Sequence, residues 1–252
     1  MPHAVRSVSL VTYNIHKGFG AGGAIRFLLP EMRKAIISLN PDFVFLQEVQ
    51  GEHQKRQKRI NSWPDTPQCE YLAENTWPHY IYAKNAIYQS GHHGNAILSK
   101  YPFSRTDNIN LANMRRASRG ILHAQLVVDG VTIHLLCVHL GLFKRERAEQ
   151  FIAIVRRIKE VVPQDEPLLM AGDFNDWRNV ISKPLAEDLN VEEAFVSIEG
   201  KHARSFPALR PALRIDRVYF RGMRVQEAAC LQGKPWRTLS DHLPLYARFE
   251  LL

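Results

Sequence analysis

Short apolar segments typical of β-strands recur along this chain, and helical patterns are few. The strand-like segments are Val8 to Tyr13, Phe43 to Leu46, Ala96 to Leu98, Ile121 to Val128, Val131 to Leu140, Leu168 to Met170, Ile215 to Phe220 and Leu243 to Leu251. One predicted helix begins at Leu29-Pro30-Glu31 and ends at Asn40-Pro41, and a second, amphipathic helix spans Arg145 to Val162. Strands mixed with crossover helices predict an α/β fold in which sheets pack on each other and helices cover the outside. Two stretches, Gly51 to Thr66 and Gly200 to Arg214, are expected to be long irregular connections.

The composition is that of a folded globular protein with a basic surface. Of the 252 residues, 45% are hydrophobic and 23% are charged, which allows a large core and excludes a disordered or collagen-like chain. We expect residues 1–252 to form a single domain. The formal net charge of +8 predicts an anionic partner, but charge alone does not separate nucleic acid from an anionic lipid surface.

The cysteines and the apolar runs bear on the compartment. Cys69, Cys137 and Cys230 are an odd number without Cys-x-x-Cys spacing, which argues against a disulfide framework and against a cysteine zinc site. This number and spacing of cysteines predicts that the protein is located in the reducing cytoplasm. The chain shows neither a signal peptide nor a run that approaches a membrane span. Peripheral attachment to a membrane through basic residues stays open.

The sharpest local signal is Ala171-Gly172-Asp173-Phe174-Asn175-Asp176, which directly follows an apolar strand. In an extended segment, Asp173 and Asn175 share a face and can point at one ligand. A carboxylate can bind a metal or orient water, and an amide can donate to a phosphate oxygen. The alternative is an ordinary turn, because Gly, Asp and Asn cluster in turns.

A second signal is the adjacent acid and imidazole of Asp241-His242, just before the last strand. Asp216 lies inside another strand-like run, where a buried carboxylate needs a partner. We predict that Asp216 orients His242, as general acid or base chemistry requires. The alternative is that Asp216 pairs with Arg217 or Arg214.

Further polar groups stand where strands end. Glu48 and Asn14 follow the second and first strands, and His139 comes at the end of another. Magnesium binds through one or two carboxylates and substrate phosphate oxygens, so Glu48 is a reasonable first ligand. Taken singly, Glu48 is equally explained as a surface residue and His139 as a structural histidine.

A glycine motif gives a competing interpretation. Gly18, Gly20 and Gly23 spell G-x-G-x-x-G after a strand, with Glu48 downstream, as in a dinucleotide-binding site. Four residues separate the strand from the first glycine, and the middle of the chain lacks alternating crossover helices. Both features weigh against this alternative.

Taken in order, the motifs resemble the endonuclease/exonuclease/phosphatase superfamily, which includes DNase I, the apurinic endonucleases, neutral sphingomyelinases and inositol polyphosphate 5-phosphatases. The matching segments are T-Y-N-I-H-K-G, L-Q-E-V, G-N-A-I-L-S-K, V-H-L, G-D-F-N, I-D-R-V and S-D-H-L-P, which run from Asn14 to Pro244. The chain looks most similar to small bacterial members whose substrates are unassigned. The resemblance implies a DNase I-like four-layer sandwich of two packed mixed β-sheets flanked by helices.

The resemblance also implies Mg²⁺-dependent hydrolysis of phosphodiester bonds, with Mn²⁺ as a possible substitute. Glu48 would be the main metal ligand, with Asn14 and Asp241 supporting the metal site. Asp173 would orient or activate the attacking water. No covalent enzyme intermediate is needed.

Other positions would contact the phosphate. Asn175 would bind a phosphate oxygen, Asp216 and His242 would form a dyad, and His139 would stabilise the phosphate or protonate the departing oxygen. Residues implied to bind phosphate or substrate are Arg119, His16 and Asn95. Because His16 stands where apurinic endonucleases carry a metal-binding aspartate, the number of ions, one or two, is left open.

Basic clusters favour nucleic acid as the substrate. They are Lys55 to Arg59, Arg115-Arg116 with Arg119, and Lys201 through Arg217. A phospholipid or phosphoinositide substrate is the leading alternative, and a non-catalytic module that binds polyanions is another. No protein partner is inferred.

Overall fold

A computed structural model describes residues 6–22, 26–110 and 119–252 of the chain. The strands are β1 (Ser7–Asn14), β2 (Phe43–His53), β3 (His79–Tyr88), β4 (Gly91–Ser99), β5 (Phe103–Asn110), β6 (Gly120–Val128), β7 (Val131–His139), β8 (Leu168–Asp173), β9 (Glu192–Glu193), β10 (Asp216–Arg221), β11 (Met223–Cys230) and β12 (Leu245–Leu251). The helices are α1 (Leu29–Leu39), α2 (Gln54–Gln57), α3 (Gln68–Ala73), α4 (Lys144–Val161), α5 (Ser182–Leu189), α6 (Ala194–Glu199) and α7 (Trp236–Leu239), with a short 3₁₀ turn at His16–Gly18.

The strands form two mixed six-stranded sheets. The first has the order β11-β12-β1-β2-β4-β3, and the second has the order β5-β6-β7-β8-β10-β9. In each sheet one central pair is parallel, β1 with β2 and β7 with β8, and the other pairs are antiparallel. The crossovers between the parallel partners carry α1 and α4, because a parallel pair needs a long connection.

The fold has four layers, in the order helices, sheet, sheet and helices. Apolar side chains fill the three interfaces between these layers. The inner faces of the two sheets meet in a central core that includes Phe43, Phe45, Leu135, Leu169 and Phe249. Helix α1 buries its apolar face on the outside of the first sheet, and α4 and α5 bury theirs on the outside of the second. The predicted four-layer α/β sandwich is therefore confirmed.

Three polar residues form one row across the second sheet. His139 at the end of β7 pairs in register with Asp173 at the end of β8, and Asp173 pairs with Asp216 at the start of β10. Neighbouring strands lie about 4.8 Å apart, so the three side chains stand side by side at one edge of the sheet.

The individual elements agree with the sequence except in a few places. Asp129-Gly130 forms the hairpin turn between β6 and β7, with positive φ angles of 50° and 85°, as an Asp-Gly pair between two strands favours. The prediction that Gly51 to Thr66 is irregular is wrong at its start, because β2 continues to His53 and leads directly into α2. The apolar pattern of the sequence does not predict strands β3, β5 and β11.

The glycine motif does not open a dinucleotide site. Gly18 closes the short 3₁₀ turn at a φ of 85° instead of starting an α-helix, and α1 begins only at Leu29. Gly23 lies outside the described residues. Within the described ranges, no helix is long and apolar enough to cross a membrane.

Candidate active site

Polar residues at one edge of both sheets line a single cavity of about 270 Å³, which we call the catalytic pocket. Its lining includes eight of the predicted site residues, Asn14, Glu48, Arg119, His139, Asp173, Asn175, Asp241 and His242. They come from β1, β2, β7, β8 and the loops beside β6, β8 and β12. The residues that the sequence predicts to act together are thus brought together.

Asp173 is the centre of this arrangement. Its Oδ2 accepts a hydrogen bond from Asn14 Nδ2 at 3.2 Å and lies 3.4 Å from His139 Nε2 and 3.8 Å from His242 Nε2. Burial alone would raise the pKa of this carboxyl, but the two imidazoles outweigh burial and lower the pKa well below its usual range. Asp173 is therefore held ionised, as an acceptor.

His242 is held by Asp216. Its Nδ1 lies 2.9 Å from Asp216 Oδ2, and the hydroxyl of Ser205 donates to the same oxygen. Burial favours the neutral imidazole, but the carboxylates of Asp216 and Asp173 outweigh it and raise the pKa of His242 to about 10. The alternative pairings are not found, since the bond from Arg217 to Asp216 goes to its backbone oxygen and Arg214 donates to His202 O.

His139 is in the opposite state. Burial and the guanidinium of Arg119, whose Nη1 lies 2.7 Å from His139 Nδ1, lower the pKa of this imidazole despite the nearby Asp173. Nη1 of Arg119 also lies 2.5 Å from His139 Nε2, the nitrogen that faces Asp173, so the cation is close to both ring nitrogens and opposes protonation of either. Arg119 thus selects the neutral form of His139.

Glu48 lies at an irregularity in β2. Its φ of 58° falls in the left-handed region, where the β2–β4 register shifts between Leu46 and Val49. Lys17 donates to its Oε2, and Oε1 lies 3.9 Å from Arg119 Nη1. Burial opposes ionisation, but the neighbouring His139, Lys17 and Arg119 together lower the pKa of Glu48 to about 2.

The pocket offers the donor set of a hard cation. Oε1 of Glu48 lies beyond hydrogen-bond distance of Arg119, and the half-exposed Asp241 adds a second carboxylate at the same cavity. Asn14 contributes a carboxamide oxygen that accepts one bond from His16 N and keeps a second lone pair. Ionised carboxylate and carboxamide oxygens are suitable ligands for Mg²⁺ or Mn²⁺, so these residues fit the ion that the sequence predicts.

A second group of residues carries atoms that could ligate a metal, but their hydrogen bonds indicate a different role. Asp173, Asp216 and His242 present atoms within 4.8 Å of one another. However, His242 is hydrogen-bonded to Asp216, and its raised pKa favours the protonated form, which cannot ligate a metal. We interpret this group as a proton-holding dyad beside an acceptor.

The G-D-F-N turn is fixed by close backbone contact. At Gly172 the φ is 147°, and a Cβ atom there would lie 1.9 Å from the backbone oxygen of Val138. Asn175 has a φ of 50°, donates from Nδ2 to Leu140 O at 2.9 Å, and donates from its backbone N–H to Asp173 Oδ1. Among the described residues, the second amide hydrogen of Asn175 has no acceptor, so it can bind a ligand in the pocket.

Three predicted residues lie outside the lining. Asp216 stands directly behind His242. His16 lies at the margin, with Nδ1 3.8 Å from Asp241 Oδ1 and without a hydrogen-bond partner among the described residues. Asn95 is buried and donates to Gly120 O at 2.9 Å. This bond ties β4 to β6 next to Arg119, so its placement favours a positioning role over contact with substrate.

Sequence reasoning missed two residues near the pocket. Lys17 contacts Glu48, although 31 positions separate them. His93 has a buried Nδ1 with no hydrogen-bond partner in the part of the chain described, and burial together with Lys17 lowers its pKa to about 4. In the sequence, only the position of Lys17 within the H-K-G motif indicates that it is near the site. Nothing in the sequence indicates this for His93.

Two facing mixed sheets with this pocket at one edge define a DNase I-like protein. The sequence model described as the Endonuclease/Exonuclease/phosphatase family matches residues 11–242. The chain belongs to this family, whose members generally hydrolyse phosphoester bonds and typically depend on a divalent metal.

Relatives and solved structures agree with this assignment. The chain is 41% identical over 247 residues to the Escherichia coli K12 "Uncharacterized protein YbhP", covering 97% of each chain. It superposes on the endonuclease/exonuclease/phosphatase of Beutenbergia cavernae with a TM-score of 0.78 and 21% identity, covering 98% of this chain and 72% of that one. D. rerio TDP2 complexed with a single-strand DNA product gives a TM-score of 0.66 at 19% identity, covering 97% and 99%. At these identities the structures establish the fold alone.

Proposed function

We propose that this protein is a Mg²⁺-dependent phosphodiesterase that hydrolyses nucleic acid by direct attack of water. One observation carries the proposal: carboxylates, carboxamides, imidazoles and an arginine from both sheets line one cavity. Phosphoester hydrolysis needs this combination of oxygen ligands, a water acceptor and donors for the charge that develops on the phosphate.

Glu48, Asp241 and Asn14 would hold the ion, which when bound would neutralise charge on the phosphoryl oxygens. Mn²⁺ is a possible substitute, because the same oxygen donors accept it.

The remaining residues act on water and phosphate. Asp173, held ionised, accepts a hydrogen bond from the attacking water and thereby fixes the position of that water. Asn175 donates its free amide hydrogen to a phosphate oxygen. His242, held by Asp216, donates its proton to the departing oxygen as the bond from that oxygen to phosphorus breaks, and the proton that the attacking water loses passes through Asp173 to replace it. His139 keeps Asp173 in place and, with Arg119, faces the phosphate.

Charge supports nucleic acid as the substrate class. The net charge of +8 suits a polyanion, and the solved D. rerio TDP2 with a related fold was crystallised with a single-strand DNA product. Of the predicted basic clusters, Lys55 to Arg59 is at the surface. Arg217, in contrast, is fully buried and donates to Asn179 Oδ1 at 2.7 Å. Arg115 and Arg116 lie outside the described residues.

A phospholipid substrate is the second candidate, favoured by an apolar rim. Leu142 and Trp177 line the catalytic pocket and are 55% and 42% exposed, and the adjacent Phe143 is 76% exposed. Exposed apolar side chains beside a polar cavity suit contact with acyl chains. Such a substrate would agree with peripheral membrane attachment.

We propose that the protein is located in the reducing cytoplasm, as the sequence predicts. In support, Cys69, Cys137 and Cys230 are all free thiols.

A substrate panel with and without Mg²⁺ tests the proposal. The panel holds single-stranded DNA, duplex DNA, RNA, abasic DNA, phospholipid vesicles and inositol phosphates. We expect hydrolysis of a nucleic acid that chelator abolishes and Mg²⁺ restores, and that Asp173→Asn lacks. Preferential hydrolysis of vesicle lipid would establish the second candidate. Polyanion binding without any hydrolysis would identify a non-catalytic binding module.

A further inference from the structure

A second cavity, of about 520 Å³, adjoins the catalytic pocket. We call it the basic pocket. Its lining is His16, Lys17, Phe19, Gly20, Gly22, His53, Lys55, Arg56, Arg59 and Ile60. Lys17 donates from it to Glu48, and His16 Nδ1 lies 3.8 Å from Asp241 Oδ1, so two residues of its lining contact two residues that line the catalytic pocket.

The charge of the basic pocket is of one sign. Lys17, Lys55, Arg56 and Arg59 contribute four cationic side chains, and the described lining contains no Asp or Glu. Lys17 is partly neutralised by Glu48, but the other three cations have no carboxylate within salt-bridge distance in the described ranges. An anion is the ligand that such a pocket attracts.

Arg56 is held in place before any ligand arrives. Its Nη1 donates to Gln50 Oε1 at 2.9 Å, and its guanidinium lies 4.7 Å from the centre of the Phe19 ring. The remaining N–H groups of a guanidinium fixed in this way can bind a phosphate without further ordering of the side chain. The lining of the pocket therefore contains one preorganised cation, Arg56, and two exposed ones, Lys55 and Arg59.

We propose that the basic pocket binds a second phosphate of the substrate, separate from the phosphodiester that is cleaved. This inference rests on the proposed function, because it takes the catalytic pocket as the place of the cleaved bond. Lys17 then lies between the two phosphates. A nucleic-acid strand supplies such a second phosphate across one sugar, and a phosphorylated inositol supplies it across the ring.

Binding of matched small ligands tests the second phosphate without requiring turnover. Titration calorimetry in Mg²⁺ compares thymidine 5′-monophosphate with thymidine 3′,5′-bisphosphate, and inositol 1-phosphate with inositol 1,4-bisphosphate. We expect one bisphosphate to bind about tenfold more tightly than its monophosphate, as one extra set of charge-assisted hydrogen bonds gives. The pair that shows the gain identifies the source of the second phosphate.

Charge-reversal variants test whether the tighter binding of the bisphosphate arises in the basic pocket. The double variant Lys55→Glu/Arg59→Glu should lose it, because both side chains line the cavity. Lys58→Glu is the matched control, since Lys58 is exposed in the same segment but is not part of the lining. All three positions are at the surface, and circular dichroism verifies that the variants are folded.

Two results would overturn the inference. One is equal affinity for mono- and bisphosphate in both pairs. The other is equal loss of the gain in Lys58→Glu and in the double variant, which would indicate general surface charge instead of a site. The proposed function fails separately, if the wild-type protein with Mg²⁺ hydrolyses no phosphodiester.

Discussion

Two buried Asp–His pairs stand side by side in the catalytic pocket, and they hold their protons differently. In the Asp216–His242 pair the two groups are 2.9 Å apart, and the pKa of the imidazole is raised to about 10. In the Asp173–His139 pair they are 3.4 Å apart, and the pKa of the imidazole is lowered. The two pairs contain the same residue types at the same depth.

The difference comes from the third neighbour. His242 faces a further carboxylate, Asp173, whereas His139 faces the guanidinium of Arg119. Since a unit of pKa corresponds to about 1.4 kcal/mol, burial and the charges of the neighbours together decide which imidazole carries a proton at neutral pH. A residue's role in such a site is therefore set by its surroundings as much as by its partner.

The largest expected effect separates the two histidines. His242→Gln should lower kcat/KM roughly 10²- to 10⁴-fold, because it removes the group that holds the proton. His139→Gln should cost only about tenfold, the value of one hydrogen bond to Asp173. Steady-state hydrolysis of bis(p-nitrophenyl) phosphate with Mg²⁺, beside thermal melts of both variants, measures this. Equal losses would show that the two imidazoles do the same work.

The next effect tests the carboxylate that touches both rings. Asp173→Asn should lower kcat about 10²- to 10³-fold, because it removes a preorganised charged acceptor while keeping the shape of the side chain. Asp176→Asn is the matched control, since Asp176 lies in the same turn and is also buried, but binds Val180 N and Ile181 N instead of lining the pocket. A folded Asp173→Asn protein with wild-type kcat would refute the role of Asp173.

A smaller effect tests Arg119 itself. Arg119→Gln should raise the pKa of His139, because the cation that opposes its protonation is gone while Asp173 remains. NMR titration of the imidazole resonances follows this, with Arg145→Gln, at a 92% exposed side chain, as the control. An unchanged His139 titration would mean that burial alone keeps this ring neutral.

A last effect concerns stability and not catalysis. Because the folded-state pKa of His242 is raised, its stabilisation is complete below the unfolded value of about 6.5 and is lost as pH rises through about 10. The free energy of unfolding should therefore decline between pH 7 and pH 10, by an amount on the order of a few kcal/mol. Asp216→Asn should flatten this decline. Denaturant unfolding in chelator measures it, and equal slopes for both proteins would contradict it.

The sequence predicts most of the fold because most strands are apolar and regular. Strands β7 and β8 carry continuous buried runs, and α1 has a proline near its start and a left-handed Asn40 at its end. Strand β11 was missed because its side chains are largely exposed or half-buried, so no apolar pattern marks it. The end of β2 was missed because two register shifts interrupt its alternation.

The site residues follow from polar groups at strand ends, but their charge states do not. The sequence places Asp216 and His242 in separate motifs, and it suggests that they meet. It contains no sign that Arg119 lies against His139, or that Lys17 lies on Glu48, because both contacts join distant segments in space. Contacts that fix protonation are tertiary, whereas the residue types are local.

The row formed by His139, Asp173 and Asp216 links the strand register of the second sheet to the stability of the fold. A slip of one residue in β8 would turn Asp173 to the opposite face and move Leu169 and Ala171 from the central core to the face that α4 and α5 cover. A mispaired chain would therefore lose packing in its core together with the row of polar residues at the pocket. Loops outside the row are free of this constraint, so they are the places where new specificity can evolve without loss of the folded molecule.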